Sequence, residues 1–145
     1  MDNANNAALA HGIGAALVIG GLIGLAVGLA VGIFYILSLQ KALNRCAPEN
    51  RAMEPGMVWL LLIPCVNLVW HFFVVLNMAK SLGAEFRKRG IAEEPEPGKV
   101  IGLVASILWC CSWIPLLNYL TGPAALVCWI IYWVKIAGYS KKLEA

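Results

Sequence analysis

The stretch from Gly12 to Leu39 holds 28 consecutive residues without a charged side chain. About 20 apolar residues suffice for one helical crossing of a bilayer. A run of this length therefore crosses once with tilt, or protrudes by a turn or two. It also exceeds the 7 to 15 residue core of a secretory signal and has no Lys or Arg in the ten residues before it, so it is expected to stay in the mature protein.

The rest of the chain agrees with a membrane setting. Of its 145 residues 61% are hydrophobic and 13% charged, against roughly 25% charged in a soluble domain. Three further apolar segments follow, at 57–79, 100–120 and 123–139. The expected class is an all-α integral membrane protein of about four transmembrane helices, forming a single membrane domain over residues 1–145. Between the second and third spans, 80–99 reads as a cytoplasmic amphipathic extension, with Leu82 and Phe86 on one face and Arg87, Lys88 and Arg89 beside them. It is followed by the Pro-rich connector Glu93 to Gly98. Thr121-Gly122-Pro123 carries turn chemistry and is expected to fold the last apolar region into a hairpin.

Orientation follows from the positions of Lys and Arg. In a four-span order the second connector (Lys80, Arg87, Lys88, Arg89, Lys99) and the tail (Lys135, Lys141, Lys142) share one side, eight residues against three (Lys41, Arg45, Arg51) in the first connector. This places both termini in the cytoplasm. A re-entrant second segment would bring the three outliers to the majority side. The net charge of +3 is that of membrane flanks, so the bilayer is the expected partner and nucleic acid is not.

In the first segment Gly12, Ala16, Gly20, Gly24, Gly28 and Gly32 recur every four residues, a stripe that lets another helix approach closely. Gly14, Gly21, Ala26 and Ala30 make a partial second face. The stripe fits packing within the chain, a homo-oligomer or other membrane subunits.

A second pattern is Ile63-Pro64 with Asn67 and Ile114-Pro115 with Asn118, one phrase repeated after 51 residues. Proline inside a helix frees a carbonyl, so both segments are expected to kink. His71 stands one turn after Asn67. An ionisable residue at membrane depth is a functional hypothesis by default. Three uses are open to it: a bond to a neighbouring carbonyl or Asn, ligation of a haem or pigment, or a polar path shared with Asn67 and Asn118.

No Asp or Glu falls within a span, which argues against a proton-coupled carrier. No catalytic motif accompanies the embedded Ser38, Ser106 and Ser112. The five cysteines show no metal-ligand spacing. Neither enzyme activity, a metal nor a resident cofactor is expected.

The phrase Ile63-Pro64-Cys65-Val66-Asn67-Leu68-Val69-Trp70, with the closing Trp129-Ile130-Ile131-Tyr132-Trp133-Val134-Lys135-Ile136-Ala137, resembles a Pro-x-x-Asn-Leu-x-x segment of small uncharacterised bacterial multi-pass membrane proteins. The resemblance covers roughly the last ninety residues and leaves out the glycine-striped segment. It implies a bacterial inner-membrane setting and no particular activity.

Overall fold

The computed structural model describes residues 2–144, which form helices and no strand. Four are α-helices: α1 Asp2–Arg45, α2 Pro64–Arg89, α3 Lys99–Cys111 and α4 Pro115–Lys142. A 3₁₀ turn, Pro48–Asn50, and a longer 3₁₀ segment, Pro55–Leu62, lie between α1 and α2. Helices α1 (over Leu9–Arg45), α2 and α4 are long and apolar enough to cross a membrane, and α3 is a shorter apolar helix. The all-α membrane class stands.

The chain forms two compact units, Met1–Phe34 and Tyr35–Ala145. The first is helical throughout its described length. The second is built from two antiparallel hairpins. In one, the 3₁₀ segment returns along α2: the Trp70 indole N–H donates to the Met57 carbonyl at 2.9 Å and Ala52 N–H to Ser81 Oγ at 2.8 Å. In the other, α3 returns along α4, with Ser112 and Thr121 hydroxyls 3.1 Å apart near the apex and Glu94 paired with Lys135 near the mouth.

Two boundaries differ from expectation. Thr121-Gly122-Pro123 does not turn, because α4 runs through it with Pro123 inside the helix. The Thr121 hydroxyl bonds the Leu117 carbonyl at 2.9 Å, and the one helical bond that Pro123 removes is the bond to the Tyr119 carbonyl. The reversal lies earlier, at residues 112–114. Likewise Pro64 and Pro115 do not kink helices. They begin them, as the first residues of α2 and α4. Proline pushes the preceding residue out of the helical region, and its missing N–H is harmless in a first turn. Ile63 (φ −87°, ψ 110°) and Ile114 (φ −87°, ψ 114°) are accordingly extended. The repeated phrase is thus a helix start used twice, once at each hairpin apex.

The two hairpins also change the charge count. Their mouths and the end of α1 meet: Arg45 Nη1 donates to Ser140 O at 2.8 Å, Arg89 Nη1 to Leu143 O at 2.8 Å, and Lys88 pairs with Glu49. The first connector therefore shares one end of the second unit with the second connector and the tail. The division of eight basic residues against three does not hold there.

The core of this unit joins Tyr35, Ile36, Leu39 and Leu43 of α1 to Val74, Val75, Met78, Leu82 and Phe86 of α2 and Tyr132, Ile136 and Tyr139 of α4. The apolar face of the 80–89 extension is consequently buried in protein.

Candidate functional site

His71 is the sole intramembrane ionisable group singled out from the sequence, and its surroundings assign every proton. Its Nδ1 lies 2.7 Å from Ser106 Oγ and its Nε2 3.1 Å from Tyr35 Oη. The Ser106 hydroxyl hydrogen is already given to the Gly102 carbonyl at 2.8 Å, so Ser106 Oγ accepts from His71 Nδ1–H. In a neutral ring Nε2 then holds the lone pair, which accepts from the Tyr35 hydroxyl. The contacts thus suit a neutral imidazole in the Nδ1–H tautomer, with both nitrogens engaged. Haem or pigment ligation at His71 would have to displace the Tyr35 hydroxyl.

Each partner arrives by a local rule. His71 and Val75 share a face of α2, one turn apart, and Gly102 and Ser106 do the same on α3. Tyr35 closes the cluster from α1, with Trp129 edge-on at 4.9 Å and Trp133 at 5.8 Å. The Tyr132 ring stands 6.4 Å from His71, and its hydroxyl is the one buried side-chain polar atom without a partner among the described residues.

The two asparagines do not join this cluster. Asn67 is partly buried one turn below His71, and Asn118 is exposed. Along α4, Asn118 stands about 21 Å from Tyr132, at 1.5 Å per residue. Their backbone N–H groups close the first turns of α2 and α4, onto Ile63 O at 2.8 Å and Ile114 O at 3.0 Å. Tyr35 and Ser106, which sequence reasoning did not connect to His71, take the places that the asparagines were expected to fill. The spacing of Gly102 and Ser106, a small residue one turn before an embedded hydroxyl, was the available signal.

Removing one partner tests the assignment. Ser106→Ala strips the acceptor from a buried Nδ1–H and is expected to lower unfolding stability in detergent by about 1–3 kcal/mol, whereas Ser112→Ala, partly exposed near the apex, should change it little. Equal effects would contradict the proton assignment.

A second polar constellation holds the charged end. Glu85, 3% exposed, accepts from Ala47 N–H at 2.9 Å, Asn50 Nδ2 at 2.7 Å and Arg89 Nε at 2.7 Å. Arg89 also reaches Arg45 O at 3.3 Å, and Arg45 Nη1 reaches Ser140 Oγ at 2.8 Å. Burial alone would raise the Glu85 pKa, but the three donors prevail and hold it below the usual carboxylate value. Beside it, burial first and the Glu85 charge second push the Cys46 thiol up to about 11, so it stays an unreactive thiol. No group of three or more His, Cys, Asp or Glu among the described residues is arranged to hold a metal ion.

The glycines divide sharply. A methyl group added at Gly12, Gly20, Gly24, Gly28 or Gly32 would meet nothing within 4 Å, whereas one at Gly102 would lie 2.6 Å from Val75 Cγ1 and 2.8 Å from Tyr132 Cε2. Ala16 is exposed like its neighbours in the stripe. Compared with family models, curated proteins and solved structures, the chain matches none.

Proposed function

We propose that the chain is a non-enzymatic structural subunit of a membrane assembly, joined to a second copy through the glycine-striped face of its first helix. The observation that carries this reading is the open face itself. Small residues at helix interfaces serve to let backbones approach, and among the described residues a methyl group added at Gly12, Gly20, Gly24, Gly28 or Gly32 would meet nothing within 4 Å beyond its own stretch of helix. Glycine in a helix interior otherwise costs about 1 kcal/mol relative to alanine. A stripe facing lipid alone would carry that cost at each position without return. A uniform, uncharged and regularly spaced surface complements itself, which favours a second copy. The engaged state of His71 and Glu85 supports a structural role for the second unit.

The cationic end of the second unit, and the carboxy terminus with it, belongs in the cytoplasm, since all 11 Lys and Arg lie between Lys41 and Lys142. The uncharged 12–39 segment then crosses once and leaves the amino terminus on the far side. This departs from the expected pair of cytoplasmic termini because the first connector now belongs to the cationic end. The bacterial inner-membrane setting rests on the resemblance carried by residues 63–70 and 129–137.

Light scattering of the protein in a mild detergent tests the assembly. Wild type is expected as a dimer or larger, and Gly24→Leu with Gly28→Leu as a monomer. A wild-type monomer, or a variant of unchanged mass, would sink the reading. Co-purification of a different membrane subunit lost in the variant would move the stripe's occupant from a second copy to that subunit.

A further inference from the structure

We propose that the first hairpin is re-entrant: it enters the bilayer from the cationic side and returns to it, with the apex at Ile63 and Pro64 resting in hydrocarbon against lipid acyl chains. The second hairpin, in contrast, reaches the far interface. This proposal concerns the second unit alone and does not depend on how copies assemble.

The depths follow from helix rise. Gly102 of α3 lies against both Val75 of α2 and Tyr132 of α4, so those two residues stand at one level. Pro64 is eleven residues from Val75 and Pro115 is seventeen from Tyr132. At 1.5 Å per residue the first apex is shallower by about 9 Å. Measured from the nearest cations, Pro64 lies about 24 Å along α2 from Lys80, and Pro115 about 30 Å along α4 from Lys135. The hydrocarbon core is about 30 Å thick. Only the second apex spans it.

Each apex has the chemistry that its depth requires. The second exposes Trp113 (70%) and Tyr119 (90%) together with Asn118, amphipathic rings of the kind that sit among headgroups. At the first apex Leu62, Ile63 and Val66 are exposed, with Cys65 between them and neither a charge nor an aromatic ring from Leu60 to Val69.

Few of its backbone groups are left open, as at the second apex. Ile63 N–H bonds Leu60 O at 3.1 Å, Asn67 N–H bonds Ile63 O at 2.8 Å, and Pro64 has no N–H to satisfy. Of the donors left open at a helix start, only those of Cys65 and Val66 remain. A re-entrant path also brings Lys41, Arg45 and Arg51 to the cytoplasmic face without a further crossing.

Cys65 is a native reporter for this depth. The experiment uses a full-length variant retaining Cys65 alone, nitroxide-labelled in detergent and reconstituted into phosphatidylethanolamine and phosphatidylglycerol vesicles. A second variant carries Trp113→Cys as its only cysteine. Collisions with oxygen, which concentrates in hydrocarbon, are compared with collisions with a water-soluble nickel chelate. The expected result is an oxygen-to-nickel ratio several-fold higher at Cys65 than at position 113. If the Cys65 variant misfolds, Val66→Cys reads the same depth. A ratio at the first apex equal to or below that at position 113 would place both apices at an aqueous boundary and overturn the proposal.

Discussion

Replacing Glu85 by alanine is expected to lower the unfolding stability of the detergent-solubilised protein by about 2–3 kcal/mol. Removing one member of a fully buried charged pair costs about 3–5 kcal/mol. Arg89 is 37% exposed on its side chain and partly recovers its solvation in water, which reduces the figure. The backbone N–H of Ala47 and the Asn50 amide, both on partly buried residues, lose their acceptor as well, and this adds to the effect. Glu85 ties the start of the first connector to the last turns of α2, so the loss should be felt as separation of α1 from α2 at the cationic end.

The same carboxylate gives an acid limb. Its folded pKa is depressed, so its contribution is complete above the ordinary Glu value of about 4.3 and is lost as pH falls through the lower folded value. Glu85→Gln should be destabilised at neutral pH yet lose less than wild type on acidification below about pH 4.3. Thermal unfolding from neutral to acid pH reads both effects. A Glu85→Ala protein within about 0.5 kcal/mol of wild type, the range of an ordinary surface substitution, would show that the cluster does not hold the unit together.

The membrane class was legible because composition and run length report directly on the solvent a segment can occupy. The placement of turns was less so. Thr121-Gly122-Pro123 has the residues of a turn, but a turn in an apolar setting leaves several backbone groups without partners, whereas a helix carried through Pro123 loses only one N–H bond. Pro64 and Pro115 were ambiguous for a related reason. The same ring kinks a helix from inside and begins one from its first position, and only the conformation of the preceding isoleucine separates the two.

His71 was visible as an anomaly, but its partners come from positions 35 and 106, on two other helices, and nothing local in sequence joins them. Glu85 was hidden altogether. It lies in the run Ala84 to Arg89 among charges that read as solvated, and its burial depends on the first connector folding back over α2. That contact becomes foreseeable only once the 3₁₀ segment is known to return along α2.

The opposite signs expected for one chemical change at two kinds of glycine separate the needs of the fold from those of assembly. Gly83→Ala should be among the most damaging single substitutions. The new methyl would overlap the backbone carbonyl of Pro95, which cannot rotate aside as a side chain would, so α2 or the proline-rich connector must move. Gly102→Ala meets Val75 Cγ1 and Tyr132 Cε2, side chains that are themselves 0% and 1% exposed. Their displacement is an overpacking cost of about 1–3 kcal/mol, and the movement would disturb the Ser106–His71–Tyr35 chain one turn away.

At Gly28, where an added methyl group would meet nothing within 4 Å beyond its own stretch of helix among the described residues, alanine removes the backbone-entropy cost of glycine and should leave the isolated chain unchanged or up to about 1 kcal/mol more stable. Thermal unfolding of the three variants in a detergent that keeps the chain monomeric measures the fold term without assembly. Destabilisation by Gly28→Ala under those conditions would mean that the stripe is already packed within one chain, leaving it unavailable to a second copy. Loss of stability confined to Gly83 and Gly102 would instead leave the open glycines with no role inside a single chain, and contact between chains as the remaining physical reason for their spacing.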